Sequence, residues 1–247
     1  MERSNSLENL ADFSKETDDF LDIKRIYVWQ IPVRLFHWIN AICILILFTT
    51  GLYIGNPIVG VHGEAAVNFF MGSVRYLHFA TAMVFAANML FRFYWFFVGN
   101  EYSKLTFWRR SFWQNFYATL KYYLFLTKEH SSNIGHNSLG QLFYLLFIWI
   151  IGITMIVTGM AMRAGEAPQG VLSWIFGWVI PTFGGEYNVR ILHHLLAWGY
   201  AFFIIGHLYM VFRQDMLEKD GTVTSIINGY KFIETPTGSI ETPILLN

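Results

Sequence analysis

His193 and His207 stand fourteen residues apart in HHLLAWGYAFFIIGH, a stretch without a single Asp, Glu, Lys or Arg. Fourteen residues turn an α-helix through almost four full turns, so both imidazoles emerge roughly on one face, about 40° apart. They are separated by roughly 21 Å along the axis, about two thirds of the hydrocarbon thickness of a bilayer. A neutral imidazole is a metal ligand and a proton carrier. One helix face would therefore offer a nitrogen ligand near each surface of a membrane, which is what two stacked redox centres require.

Composition supports the membrane setting. Of 247 residues, 54% are hydrophobic, 19% aromatic and only 14% charged, and mean hydropathy is +0.39. Soluble domains carry nearer a quarter charged residues. Formal net charge is zero, which gives no reason to expect a nucleic-acid partner. The single cysteine, Cys43, excludes an internal disulfide and cannot hold an iron–sulfur cluster or a structural zinc by itself. It lies in an apolar run and reads as a small packing residue.

Four apolar segments can position the histidines: about 38–53, 76–98, 142–162 and 191–212. Each approaches the ~20 residues needed to cross the hydrocarbon core, the first only if its flanks continue the helix. The alternation of a membrane β-barrel is absent. The expected fold class is an all-α membrane protein, a four-transmembrane-helix bundle with interfacial helices. Residues 106–127 mix aromatics with Lys and Arg and suggest one such helix. Residues 169–180, between Pro168 and Pro181, are too short to span and suggest another on the outer side.

Orientation follows from the basic residues. Arg3, Lys15, Lys24, Arg25 and Arg34 precede the first span. Lys104, Arg109, Arg110, Lys121 and Lys128 lie between the second and third, and Arg213, Lys219 and Lys231 follow the fourth. The other two loops carry only Arg75, Arg163 and Arg190. Both termini are expected in the cytoplasm of a multi-pass inner-membrane protein. The division is a polar acidic arm over 1–25 without a cleavable signal peptide, a membrane domain over 26–215 and a cytoplasmic tail over 216–247.

Depth then sorts the histidines. His37 begins the first span and His207 lies late in the fourth, so both sit near the inner side. His78 begins the second span and His193 the fourth, both near the outer side. His194 is about 140° around the helix from His207, which favours His193 as the outer ligand and leaves His194 a supporting or interface donor. Taken singly, each histidine could be a satisfied helix–helix hydrogen bond. In depth-matched pairs they supply two axial nitrogens per centre. Zinc would need three or four ligands converging at one place, whereas a haem needs two. The expected cofactors are two haem b groups, non-covalent because no Cys-x-x-Cys-His signature is present. Glycines 51, 152, 159, 199 and 206 could provide low walls for a macrocycle or simply tighten helix packing. Arg34, Arg75 and Arg190 could pair with propionates or snorkel to headgroups, and Arg92 lies at a similar depth.

Ser132, Asn133, His136, Asn137 and Gln141 cluster where the third span begins. His136, Asn137 and Gln141 are candidate donors to a quinone near the inner centre; the alternative role of such residues is to cap the helix.

Several motifs resemble the b-type cytochrome subunit of membrane-bound nickel–iron uptake hydrogenases, across about residues 26–232. They are VRLFHW at 33–38, RYLHF at 75–79, FRFYWFFVGNEYS at 91–103, IGHN at 134–137 and HHLLAWGYAFFIIGHLYM at 193–210. The resemblance implies His37 and His207 at a cytoplasmic haem and His78 and His193 at an outer one. It implies partners in an iron–sulfur small subunit and a nickel–iron large subunit, with membrane quinone as electron acceptor. His194 and the long acidic arm depart from the family pattern. The expected function is transmembrane electron transfer from a periplasmic hydrogenase through two haems to quinone. The chain has no cysteine set for a nickel–iron centre, so hydrogen activation itself belongs elsewhere. An equivalent subunit of formate dehydrogenase or another periplasmic oxidoreductase is the nearest alternative, and a cofactor-free histidine proton relay is another.

Overall fold

The computed structural model describes residues 21–57, 69–124, 126–127, 135, 137–166 and 168–236. Four helices are long and apolar enough to cross a bilayer: α1 (Ile31–Gly55), α2 (Phe70–Val98), α4 (Ser138–Gly165) and α7 (Glu186–Glu218). Every one extends the apolar segment that marks it in the sequence, and α1 gains a full-length span from the flanks Ile31–His37 and Ile54–Gly55. Pro32 sits in the first turn of α1, where a missing N–H costs nothing. The expected all-α bundle is what forms.

The bundle consists of two helical hairpins. α1 packs intimately on α2 and α4 on α7, while contact between the hairpins is sparse. Phe36, Cys43, Phe85 and Met89 form the central apolar cluster, joined by Ile148 and Trp149 of α4; Cys43 is the buried packing residue its neighbours suggest. Within α4, residues Tyr144–Ile151 are π-helical. The Phe147 carbonyl there accepts the Tyr200 hydroxyl at 2.7 Å, which ties α4 to α7. Most remaining apolar side chains face outward, as lipid requires.

Both short helical segments are present. α3 (Arg110–Tyr123) packs against the start of α4, and Arg213 of α7 lies over Tyr122 and Tyr123, 5.1 and 5.5 Å from the ring centres. At the opposite end, α5 (Val171–Phe176) and α6 (Val179–Thr182) cover α4 and α7 through Val179, Ala161 and Val189.

One element has no counterpart in the sequence reading. β1 (Leu21–Tyr27) pairs antiparallel with β2 (Tyr230–Pro236), Tyr27 opposite Tyr230. A short helix, α8 (Thr222–Asn228), turns into β2 through Gly229 at φ 91°. A Cβ there would lie 2.6 Å from the Tyr27 ring and 2.7 Å from the Trp29 carbonyl, so both the left-handed backbone and the space demand glycine. The Gly229 carbonyl accepts from Val28 and Trp29 N–H groups, and Trp29 Nε1 donates to Ser225 at 3.1 Å. The ends of the membrane unit are thereby bound to each other beside the start of α1.

Lys231 is buried in this cap and donates to Asp220 at 2.6 Å. Burial opposes the Asp220 charge, but Lys231 and Thr222 outweigh it and hold the carboxyl below its ordinary value. A carboxyl depressed in the folded state contributes stability that is present above its unfolded pKa and is lost as pH falls through the folded value. Amide exchange over Tyr230–Pro236 is therefore expected to accelerate below about pH 4. Asp220→Asn should bring the same loosening at neutral pH, at a cost of about 1–2 kcal/mol. Unchanged exchange in that variant would show that the ion pair does not secure the strand.

Candidate functional site

The four candidate ligands come to lie at two levels. At the end of the bundle where the strands meet (the strand end), His37 of α1 faces His207 of α7, with ring centres 6.3 Å apart and planes at 48°. A metal–nitrogen bond of about 2.0 Å on each side would place two imidazole centres about 6 Å apart. His37 Nδ1 is buried with no hydrogen-bond partner among the described residues. Two imidazoles at this separation leave room for one metal ion that each could bind through a ring nitrogen.

At the far end lie His78, in the early turns of α2, and His193, in the early turns of α7. Each contacts the partner helix of its own hairpin. Thr50 Oγ1 of α1 lies 2.8 Å from His78 Nδ1, and Thr158 Oγ1 of α4 lies 2.8 Å from His193 Nδ1. Gly51 and Gly159 follow those threonines; a Cβ on either would sit 3.4 and 3.3 Å from Cε1 of the same two rings. Thr50 is thirteen residues beyond His37 on α1, about 20 Å along the axis, which matches the spacing of His193 and His207 on α7. Among the described residues no three His, Cys, Asp or Glu side chains converge, so the donors come in twos. That donor set suits a macrocycle-bound iron.

His194 Nδ1 donates to the Arg190 carbonyl at 2.9 Å, and its Nε2 lies 2.9 Å from where a Gly55 Cβ would stand. The cations fall into different settings. Arg34 donates to the Ile227 carbonyl of α8. Arg75 is exposed, and Arg190 pairs with Glu186 at 2.5 Å. Arg92 is buried, donates to the Ser103 carbonyl at 2.9 Å and lies 5.3 Å from the Tyr144 ring centre.

Of the quinone candidates, His136 lies outside the described residues, as do Ser132 and Asn133. Asn137 caps α4, its side-chain oxygen accepting the Gly140 N–H at 2.7 Å. Gln141 Oε1 accepts from the Thr106 N–H and hydroxyl, both at 3.0 Å. Beside it Arg92, Ser103, Lys104 and Tyr144 border a depression of about 10 Å³, room for about one water molecule.

Sequence reading passed over Thr50, Thr158, Asn40 and Asn88. Asn88 Nδ2 donates to the Phe36 carbonyl at 3.0 Å and approaches Asn40 at 3.5 Å, next to His37. The repeated Thr-Gly pairs at 50–51 and 158–159 were a visible signal, but Thr-Gly is common in helices and nothing in the sequence says what faces it.

Residues 28–229 match the family described as prokaryotic cytochrome b561. A probable Ni/Fe-hydrogenase B-type cytochrome subunit from Cupriavidus necator is 39% identical over 216 residues, 85% of this chain and 88% of that protein. The probable Ni/Fe-hydrogenase 1 B-type cytochrome subunit of Escherichia coli K12 is 37% identical over 213 residues, 83% and 90% of the two chains. A Rhodobacter capsulatus relative, also a probable Ni/Fe-hydrogenase B-type cytochrome subunit, is 37% identical over 224 residues, 87% and 85%.

Asn88→Ala should remove the bridge between α2 and the α1 backbone next to His37, costing about 1–2 kcal/mol. The expected result is a lower thermal midpoint of the detergent-solubilised chain; an unchanged midpoint would assign Asn88 no part in holding the hairpin.

Proposed function

The chain belongs to the prokaryotic cytochrome b561 family, and we propose that it carries electrons across the bacterial inner membrane from a periplasmic nickel–iron hydrogenase to quinone. Two haem b groups would be held in the bundle, one by His37 and His207, the other by His78 and His193. Each haem, when bound, supplies a reversible one-electron couple at its iron.

The observation that carries this reading is the placement of the imidazoles. α7 contributes one ligand to each level, while α1 and α2 contribute the other, so the two hairpins are joined at both depths. The 6.3 Å separation of His37 and His207 suits two axial ligands. The distribution of Lys and Arg favours a cytoplasmic strand end. On that orientation His78 and His193 lie on the periplasmic side, where the hydrogenase small and large subunits would dock. Inward movement of negative charge would help maintain the membrane potential, at roughly 2.3 kcal/mol per charge per 100 mV.

The remaining residues serve the site indirectly. Arg75 and Arg190 stand at the periplasmic rim and Arg34 at the cytoplasmic one, within the surroundings where propionates would need cations. Quinone reduction is assigned to the cytoplasmic end, near the start of α4, with His136, Asn137 and Gln141 as the candidate polar groups. The names of the relatives support the hydrogenase as partner.

Haem extraction from the purified chain is expected to give two haem b per polypeptide, and a reduced-minus-oxidised spectrum without a b-type signal would overturn the proposal. His78→Ala should remove one haem and leave the other. Equal loss of both would refute the pairing by depth. The purified complex should contain nickel in its partner subunit; a nickel-free partner would move the chain to another oxidoreductase.

A further inference from the structure

The two far-end histidines share an arrangement that His37 lacks. A threonine hydroxyl has one hydrogen to give. In Thr50 it goes to the Ile46 carbonyl at 2.6 Å and in Thr158 to the Thr154 carbonyl at 2.7 Å, the back-bond to residue i−4 that threonine makes within a helix. Each oxygen therefore meets its imidazole with a lone pair. His78 Nδ1 and His193 Nδ1 must carry the ring hydrogens and donate them across the 2.8 Å contacts. This tautomer leaves Nε2 with its lone pair, the form a metal ligand must take.

The glycine after each threonine completes the arrangement. A Cβ at Gly51 would lie 3.4 Å from Cε1 of His78 and one at Gly159 3.3 Å from Cε1 of His193, so each ring lies close against the glycine. Hydroxyl and glycine together fix how far each ring can rotate. The same construction occurs once in each hairpin: a Thr-Gly step late in the first helix meets a histidine early in the second. No repeat is evident along the chain, so this one is local and spatial.

We propose that Thr50-Gly51 and Thr158-Gly159 are a matched pair of positioning clamps. They would hold His78 and His193 in the ligating tautomer and lower the midpoint potential of the far-end haem. The inference rests on the di-haem reading above. Neither threonine touches the metal; each acts through a histidine. An acceptor on Nδ1–H draws the hydrogen away and raises electron density at Nε2, which stabilises the ferric over the ferrous ion. His37, whose Nδ1 has no such acceptor among the described residues, provides the internal control.

The test is a spectroscopic redox titration of the full chain in its complex, with Thr50→Val and Thr158→Val as isosteres lacking the hydroxyl and Thr50→Ser and Thr158→Ser as variants that keep it. His78→Ala identifies which spectral component belongs to the far-end haem. Each valine variant is expected to raise that component's reduced-to-oxidised ratio about tenfold at fixed ambient potential, equivalent to about 59 mV for a one-electron couple. The other component should not move, and the serine variants should titrate like the parent. Loss of the far-end haem in a valine variant, with retention in its serine counterpart, also supports the clamp. Valine variants that keep both haems at parental potentials overturn it, as do serine variants as disturbed as valine ones. A parent chain with fewer than two haems defeats the di-haem reading and the clamp with it.

Discussion

An imidazole inside an apolar bundle brings one N–H and one lone pair that neither lipid nor hydrocarbon side chains can satisfy. Four such rings in one small membrane protein impose a constraint that the rest of the molecule answers. For His78 and His193 the N–H is taken by threonine oxygens of the neighbouring helix, and one nitrogen is left for other use. His37 and His207 answer it differently, by facing each other across the hairpin boundary. The packing of α1 on α2 and of α4 on α7 accompanies the first solution, and contact between the hairpins, where His37 and His207 face each other, is sparse.

Sparse contact between hairpins has to be offset elsewhere. Near the strand end, the backbone is gripped by side chains rather than by apolar contact alone: Asn88 holds the Phe36 carbonyl, Arg92 the Ser103 carbonyl, and Asn100 the Val28 carbonyl. Gln30 at the start of α1 accepts from Trp95 and from the Asn100 N–H. A buried donor with a fixed backbone partner is stabilising in a medium without water, and it also sets the rotation of each helix. Thus Asn88 ties α2 to α1 at Phe36 and Asn40, on either side of His37.

The two-stranded cap extends the same logic to the chain ends. The region matching the family runs from 28 to 229, and the strands begin immediately outside it on either side. Val28 and Gly229, the first and last matched residues, are joined by a backbone hydrogen bond of 2.9 Å. β1 and β2 continue that closure outward, and the Lys231–Asp220 pair locks it to the end of α7. The start of α1 and the end of α7, which carry His37 and His207, are consequently held as one piece.

Local sequence alone made legible the four long apolar helices and the short helical segments between them. These depend on hydropathy, helix rise and counting, all of which act within a few turns of chain. Cys43 as a packing residue was legible for the same reason. What only the tertiary structure decided is who faces whom. Thr50 and Thr158 are ordinary helix threonines until α2 and α7 bring histidines against them, and Arg34 is one more boundary cation until α8 offers it a carbonyl. Asn137 and Gln141 could be read as ligand donors or as loop-building residues, and their loop partners, Gly140 and Thr106, are seen only in the fold. The β1–β2 pairing was hidden because its partners are some two hundred residues apart in the sequence. Strand pairing is a non-local contact, and short polar segments carry no periodic signal of it.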